Sequence, residues 1–198
     1  MPGQIKIDDG AGNYTVLTNG GSLGSDKTIT IPNTTGTMAL TSDIVAGLKG
    51  SQAFNLTADI TSTGAADITS NIAVATGTLQ TNDGTLVSES SGIFSFSETG
   101  YYLIILTVGS TFSTDNAYAP VLIVSTNDNF SSQDDISRIY NRNKSAVENT
   151  STATALVKIS DTTNDKIKFR KDITSGGTVR GGTTINETTF TFLKVGDI

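Results

Sequence analysis

The chain reads as an all-β protein in which short, intertwined strands over residues 1–50 precede an antiparallel β-sandwich over residues 51–198. Three observations point there. The 198 residues include 33 Thr, 21 Ser and 20 Gly but only 3 Pro and no Trp, and the Thr residues fall among Val, Ile and Phe, which suit a pleated, half-buried surface. Beyond residue 51 the apolar runs alternate with period two and are bounded by Gly, Asn and Asp clusters. Helical spacing is confined to one short run near residue 44, and the length suffices for one sizeable core.

In the first 50 residues the runs are brief: Ile5-Lys6-Ile7, Tyr14-Thr15-Val16-Leu17, Thr28-Ile29-Thr30-Ile31 and Met38-Ala39-Leu40. Asp9-Gly10, Asn19-Gly20-Gly21 and Thr35-Gly36 between them supply the positive-φ positions of tight turns. So few apolar side chains cannot offset an ordering cost of about 1–2 kcal/mol per residue. The segment therefore folds against copies of itself or another surface, with Ile5, Ile7, Tyr14, Val16, Ile29 and Ile31 as its candidate attachment residues. Ser42 or Asp43 can cap a single helical turn carrying Ile44, Val45 and Leu48, and Lys49-Gly50-Ser51 then reads as a linker.

The sandwich strands follow in order: 53–56, 79–86, 92–96, 101–112, 120–125, 136–140, 154–159, 166–171 and 188–195. Asn82-Asp83-Gly84, Glu98-Thr99-Gly100, the run 126–129 and the run 162–165 punctuate them as turns. This many short strands at regular spacing suits a sandwich or jelly roll.

The most informative strand is Tyr101-Tyr102-Leu103-Ile104-Ile105-Leu106-Thr107-Val108, because both of its alternating sets are apolar. A strand of an antiparallel sandwich normally turns one side to water, so the second apolar side calls for another cover. With no helices to supply it, a second subunit is the natural candidate. Tyr101, Tyr102, Leu103, Ile104, Leu106, Phe190 and Phe192 are accordingly expected to form the core and the subunit interface.

Two stretches resemble known families. Ile29-Thr30-Ile31-Pro32-Asn33-Thr34-Thr35-Gly36-Thr37-Met38-Ala39-Leu40-Thr41-Ser42-Asp43-Ile44 resembles an element of bacteriophage tail-fibre and related virion proteins that precedes a distal domain. Gly92-Ile93-Phe94-Ser95-Phe96-Ser97-Glu98-Thr99-Gly100-Tyr101-Tyr102-Leu103, with the closing Phe190-Thr191-Phe192-Leu193-Lys194-Val195-Gly196-Asp197, resembles the trimeric jelly roll of complement globular heads and TNF-like proteins. The resemblance implies a homotrimeric virion component with a globular C-terminal head. It lacks a collagen-like Gly-X-Y stalk. A tail fibre or spike contacting the host surface is the first expectation. A capsid decoration or head-fibre protein held to the shell through residues 1–50 is the alternative, and a polysaccharide depolymerase the second alternative.

Composition bears on chemistry as well. Without His or Cys there is no His-assisted triad, thiol nucleophile or disulfide, so no catalytic residue, metal ligand or cofactor is expected. A net charge of −6 and a pI near 4.5 disfavour nucleic acid, and no apolar run is long enough to insert in a membrane. The neighbours Asp8-Asp9 and Asp134-Asp135 read as turn residues, since on a strand they would point to opposite faces and share no reacting atom. Asp161 and Asp165 could place several oxygens around a Ca²⁺, but without the full loop and distal Glu of an EF-hand they read as a solvated turn.

For binding, Lys166, Lys168 and Arg170 alternate with Ile167 and Phe169, which reads first as a solvated edge or outer strand and second as a cationic patch for anionic glycan or lipopolysaccharide phosphate, to which Arg138, Arg142 and Lys144 add if the fold brings them near. The loop 111–119 with Asn116 and Tyr118, and the Gly-rich 174–184 with Arg180, read as exposed loops fit for sugar recognition. The expected location is the virion, after synthesis in the host cytoplasm.

Overall fold

The computed structural model describes residues 5–8, 14–17, 48–76 and 85–198. The chain divides into two units, Met1–Asp43 and Ile44–Ile198. In the first, β1 (Ile5–Asp8) pairs antiparallel with β2 (Tyr14–Leu17), Ile5 opposite Leu17 and Asp8 opposite Tyr14. The expectations for Ile29, Ile31 and the helical turn over 42–47 lie outside the described residues.

The second unit runs β3 (Gly50–Leu56), β4 (Gly64–Asp67), β5 (Ile72–Val74), β6 (Val87–Ser90), β7 (Ile93–Phe96), β8 (Gly100–Phe112), β9 (Ala117–Tyr118), β10 (Val121–Thr126), β11 (Asp134–Ile139), β12 (Arg142–Asn143), β13 (Val147–Ile159), β14 (Lys166–Ile173), β15 (Gly177–Val179) and β16 (Thr189–Gly196). One sheet has the order β13-β8-β16-β3-β5, with β15 also on β8. The other has the order β11-β10-β14-β7-β6, with β4 also on β14, and β9 pairs with β12 apart from both. Among the described residues there is no helix.

Alternation decides the core. Phe54 of β3, Tyr102, Ile104 and Leu106 of β8, and Phe190 and Phe192 of β16 face Phe94 and Phe96 of β7 and Phe169 of β14 between the sheets. Their rings pack at 4.4 Å for Phe169–Phe190 and 5.1 Å for both Phe54–Phe94 and Phe94–Phe192. Each fully buried large side chain contributes roughly 1.5–3 kcal/mol. Enclosed polar groups are paired: the Val87 N–H donates to Gln52 Oε1 at 2.8 Å, and Asn141 Nδ2 donates to Ser110 Oγ at 2.8 Å.

The ladder of β8 against β13 runs unbroken from Gly100–Ile159 to Phe112–Val147, a span of about 40 Å at some 3.3 Å per residue. It gives the sandwich two distinct ends. At the basal end the Lys49 N–H donates to the Lys194 carbonyl, beside Tyr102. At the distal end the turn after Phe112 meets the connections around 141–146 and 174–177.

Several expectations need correcting. Lys49-Gly50-Ser51 is not a linker, because Gly50 and Ser51 already pair with Lys194 and Leu193 in the sheet. The strand expected over 79–86 begins only at Val87 within the described residues; 85 and 86 lie in a bend and 79–84 fall outside. The Gly-rich 174–184 is not merely an exposed loop, since β15 lies within it and Val179 is fully buried, bridged to Ile60. Asp134 and Asp135 sit on β11 instead of in a turn. The strand expected from Thr154 starts at Val147, its polar first half held by register with β8 and not by apolar content of its own.

Candidate functional site

Two surfaces draw together residues singled out in the sequence. The first is the side of the β13-β8-β16-β3-β5 sheet that faces away from the core. Tyr101, Leu103, Ile105 and Thr107 of β8 stand opposite Lys158, Leu156, Thr154 and Thr152 of β13. On the other flank, Leu193, Thr191 and Thr189 of β16 continue the rows from Leu103, Ile105 and Thr107. The apolar part lies at the basal end, where Leu156 is 67% exposed and Tyr101 40%. Farther along, threonines take over, with Thr107 and Thr152 hydroxyls 3.2 Å apart.

The expected interface set therefore splits. Tyr101 and Leu103 lie on this outer face, but Tyr102, Ile104, Leu106, Phe190 and Phe192 are enclosed between the two sheets, because period two turns them inward. Leu156 and Leu193 also lie on this outer face. Their signal was their register with Leu103, which only the paired strands reveal.

The second surface is distal. Tyr118 of β9 and Tyr140, just past β11, stack with ring centroids 5.8 Å apart and an interplanar angle of 19°. The Arg138 guanidinium lies 5.6 Å from the Tyr140 ring centroid. Arg142 of β12 is the cross-strand partner of Tyr118 and donates from Nη2 to Asn116 Oδ1 at 3.0 Å. Asn116 adopts φ +64°, a left-handed conformation its short amide side chain tolerates. The order along this surface is cation, ring, ring, cation and amide.

Its backbone is tied down from several directions. The Tyr118 N–H donates to Thr174 Oγ1 at 2.8 Å and its carbonyl accepts the Thr174 N–H at 3.0 Å. The Ser145 N–H donates to Asp115 Oδ1 at 2.8 Å, the Ser113 N–H to the Gly176 carbonyl at 2.7 Å, and the Ala119 N–H to the Asn141 carbonyl at 2.9 Å. Gly176 has φ +86°, and a Cβ there would lie 2.1 Å from Thr114 Oγ1, so only glycine fits this junction.

The cationic stripe is corrected. β14 is not an outer strand but an interior one, bonded to β10 on one side and to β7 and β4 on the other. Lys168 is only 8% exposed, with Nζ 2.8 Å from Asp67 Oδ2 and 4.5 Å from the Phe130 ring centroid. Arg170 shares Asp67 at 3.0 Å and donates to Gln133, while Lys166 donates to the Thr162 carbonyl at 2.7 Å. Burial pushes the Asp67 carboxyl up, but hydrogen bonds from Lys168 and Arg170 outweigh it and hold the group below the usual carboxylate range. These cations are thus already matched within the subunit.

Arg180 is likewise engaged, 3.2 Å from Glu187 and 3.7 Å from Asp59. Asp165 accepts the N–H groups of Ser160 and Asp161 at 2.7 and 2.8 Å, and Asp161 accepts that of Thr163 at 2.8 Å, so both carboxylates close a turn. Among the described residues no group of three or more acidic side chains is placed to hold a metal. Ile5, Ile7, Tyr14 and Val16 stand on the β1–β2 hairpin.

Comparison with solved structures addresses the fold. Murine APRIL at pH 8.5 matches at TM-score 0.52 and 11% identity, over 74% of this chain and 98% of that one. Eiger TNF from S. frugiperda matches at TM-score 0.52 and 12% identity, over 77% of this chain and 96% of that one. The sandwich is a TNF-like jelly roll. No family model and no curated protein sequence matches the chain. At such identity the likeness reaches the jelly roll's architecture and stops there; neither surface described above is assigned by it.

Proposed function

We propose that this chain is a non-enzymatic, homotrimeric bacteriophage virion protein, a tail fibre or spike whose jelly-roll head contacts the host surface. The observation that carries the assembly is the uncovered apolar row of Tyr101, Leu103, Ile105, Leu156 and Leu193 on the outer face of a sheet already packed on its other side. Left in water it forfeits burial of roughly 25 cal/mol per Å². Identical copies meeting through this face around a threefold axis close without leaving an edge. The virion assignment draws on the resemblance of residues 29–44 to tail-fibre sequences, and the TNF-like fold agrees with a trimeric head. The adhesive assignment draws on the exposed tyrosine and arginine surface at the distal end, opposite the basal chain end.

Two measurements test this. Native mass spectrometry of the purified chain is expected to give three copies; a monomer would remove the trimer. Immunogold labelling of intact virions with antibody to residues 51–198 is expected to mark the tail. Dense gold over the capsid would replace host contact with shell decoration through residues 1–50.

A further inference from the structure

We infer that the Arg138–Tyr140–Tyr118–Arg142–Asn116 surface is a binding site for an acidic saccharide, a pyranose unit bearing a carboxylate. The inference rests on the adhesive reading above and names its ligand class. Four observations on this surface carry it.

Tyr140 is 55% exposed, and it stacks on Tyr118 outside the core, so the pair adds little to the burial that stabilises the head. With their faces stacked on each other and, for Tyr140, under Arg138, the rings offer edges beside polar groups, which suit the C–H and hydroxyl groups of a sugar ring. Second, among the described residues Arg138 and Arg142 form no ion pair, although the chain has 19 acidic side chains against 13 basic. Arg170 and Arg180, in contrast, are each held by carboxylates. A guanidinium kept beside a ring and an amide keeps its donor fork for an incoming carboxylate, which it can meet bidentately.

Third, Asn116 presents an amide beside Arg142, and its remaining N–H donors match sugar hydroxyls. Fourth, the backbone beneath is held by hydrogen bonds from 113, 118, 119 and 145, so little ordering remains to oppose binding. Two arginines on an acidic chain are too few to grip a polyphosphate such as nucleic acid, whose affinity grows with each phosphate neutralised. A sparse, carboxylated polymer suits them better.

The test uses the full-length protein and immobilised alginate, polygalacturonate and polysialic acid, each beside its carboxyl-reduced form, with dextran as the neutral reference. Binding to at least one acidic polymer is expected, falling about tenfold or more when its carboxylates are reduced, as loss of a charge-assisted bidentate contact implies. Arg142→Gln and Tyr140→Ala are expected to lower binding similarly while melting temperature and trimer mass stay unchanged. The site is overturned if no acidic polymer binds, if carboxyl reduction leaves binding intact, or if the two variants bind like the parent. Cells of the phage's host serve as a second readout. Adherence that ignores both substitutions keeps the adhesive reading and removes this site, whereas no adherence to cells or polymers removes both.

Discussion

Leu156 of β13 stands directly opposite Leu103 of β8 on the side of the sheet turned from the core, whereas the adjacent Ile104 is completely enclosed. Neighbouring positions on β8 thus serve opposite faces of the sheet, one turned into the core and one turned away from it. Leu156→Asp is expected to change the stability of the isolated head by no more than about 0.5 kcal/mol, as at ordinary surface positions, while converting the proposed trimer to monomer. Ile104→Asp is expected to unfold it, since an unpaired buried carboxylate costs several kcal/mol. Sedimentation and circular dichroism read the two effects separately, and a trimeric Leu156→Asp would place the subunit contact elsewhere.

Asp67 ties β4 to β14, the central strand of its own sheet, by meeting both Lys168 and Arg170. Asp67→Asn takes the compensating charge away from the enclosed Lys168 ammonium, leaving it an amide and the Phe130 ring, at an expected cost of about 1–3 kcal/mol in urea unfolding. The folded carboxyl titrates below its ordinary range, so its contribution is complete above that range and is lost as pH falls below it. The parent should therefore lose more stability on acidification than Asp67→Asn does.

The connection from β10 to β11 carries its own acid-sensitive clasp. Asp128 accepts from the Ser132 hydroxyl and N–H and from the Thr126 hydroxyl, which hold its carboxyl down at about 2. Depression below the unfolded value means the clasp is intact above about pH 4 and opens as pH falls through 2. Amide exchange at Ser132 should accelerate over that window, and Asp128→Asn should abolish the pH dependence.

Between β6 and β7 the turn residues Ser91 and Gly92 have φ of +53° and +81°, the pairing of a two-residue hairpin of type I′. A Cβ on Gly92 would lie 2.0 Å from the Ile68 carbonyl oxygen. Gly92→Ala is expected to cost about 2 kcal/mol or more, because strain adds to a backbone clash. Ser91→Asn, which suits that conformation, should be stabilising by a few tenths of a kcal/mol in thermal denaturation.

What could be read from residues alone followed from period two. The doubly apolar β8 announced the core on one side and an apolar face on the other, and the Gly-rich turns marked where strands end. What alternation could not reveal is which strands become neighbours. Lys166, Lys168 and Arg170 have the pattern of an outer strand, yet β14 lies inside its sheet, and the carboxylate that neutralises it comes from Asp67, 103 positions before Arg170. Tyr140 drew no notice for the same reason. Its partner Tyr118 is brought to it only by the pairing of β9 with β12. Residues 147–153 were passed over because a strand paired to β8 along its whole length needs little apolar content to stay in place.

The basal chain end and the tyrosine surface lie at opposite ends of the same long strands, and this has a mechanical meaning. A pull between a ligand held at Tyr118 and the chain at Lys49 runs along the strands, while the ladder bonds of an antiparallel sheet lie across them. Such a load passes from β3 through β16 to β8 and shears their ladders as a block instead of peeling them apart one bond at a time. A head without cysteine can in this way resist tension by the direction in which it is stretched.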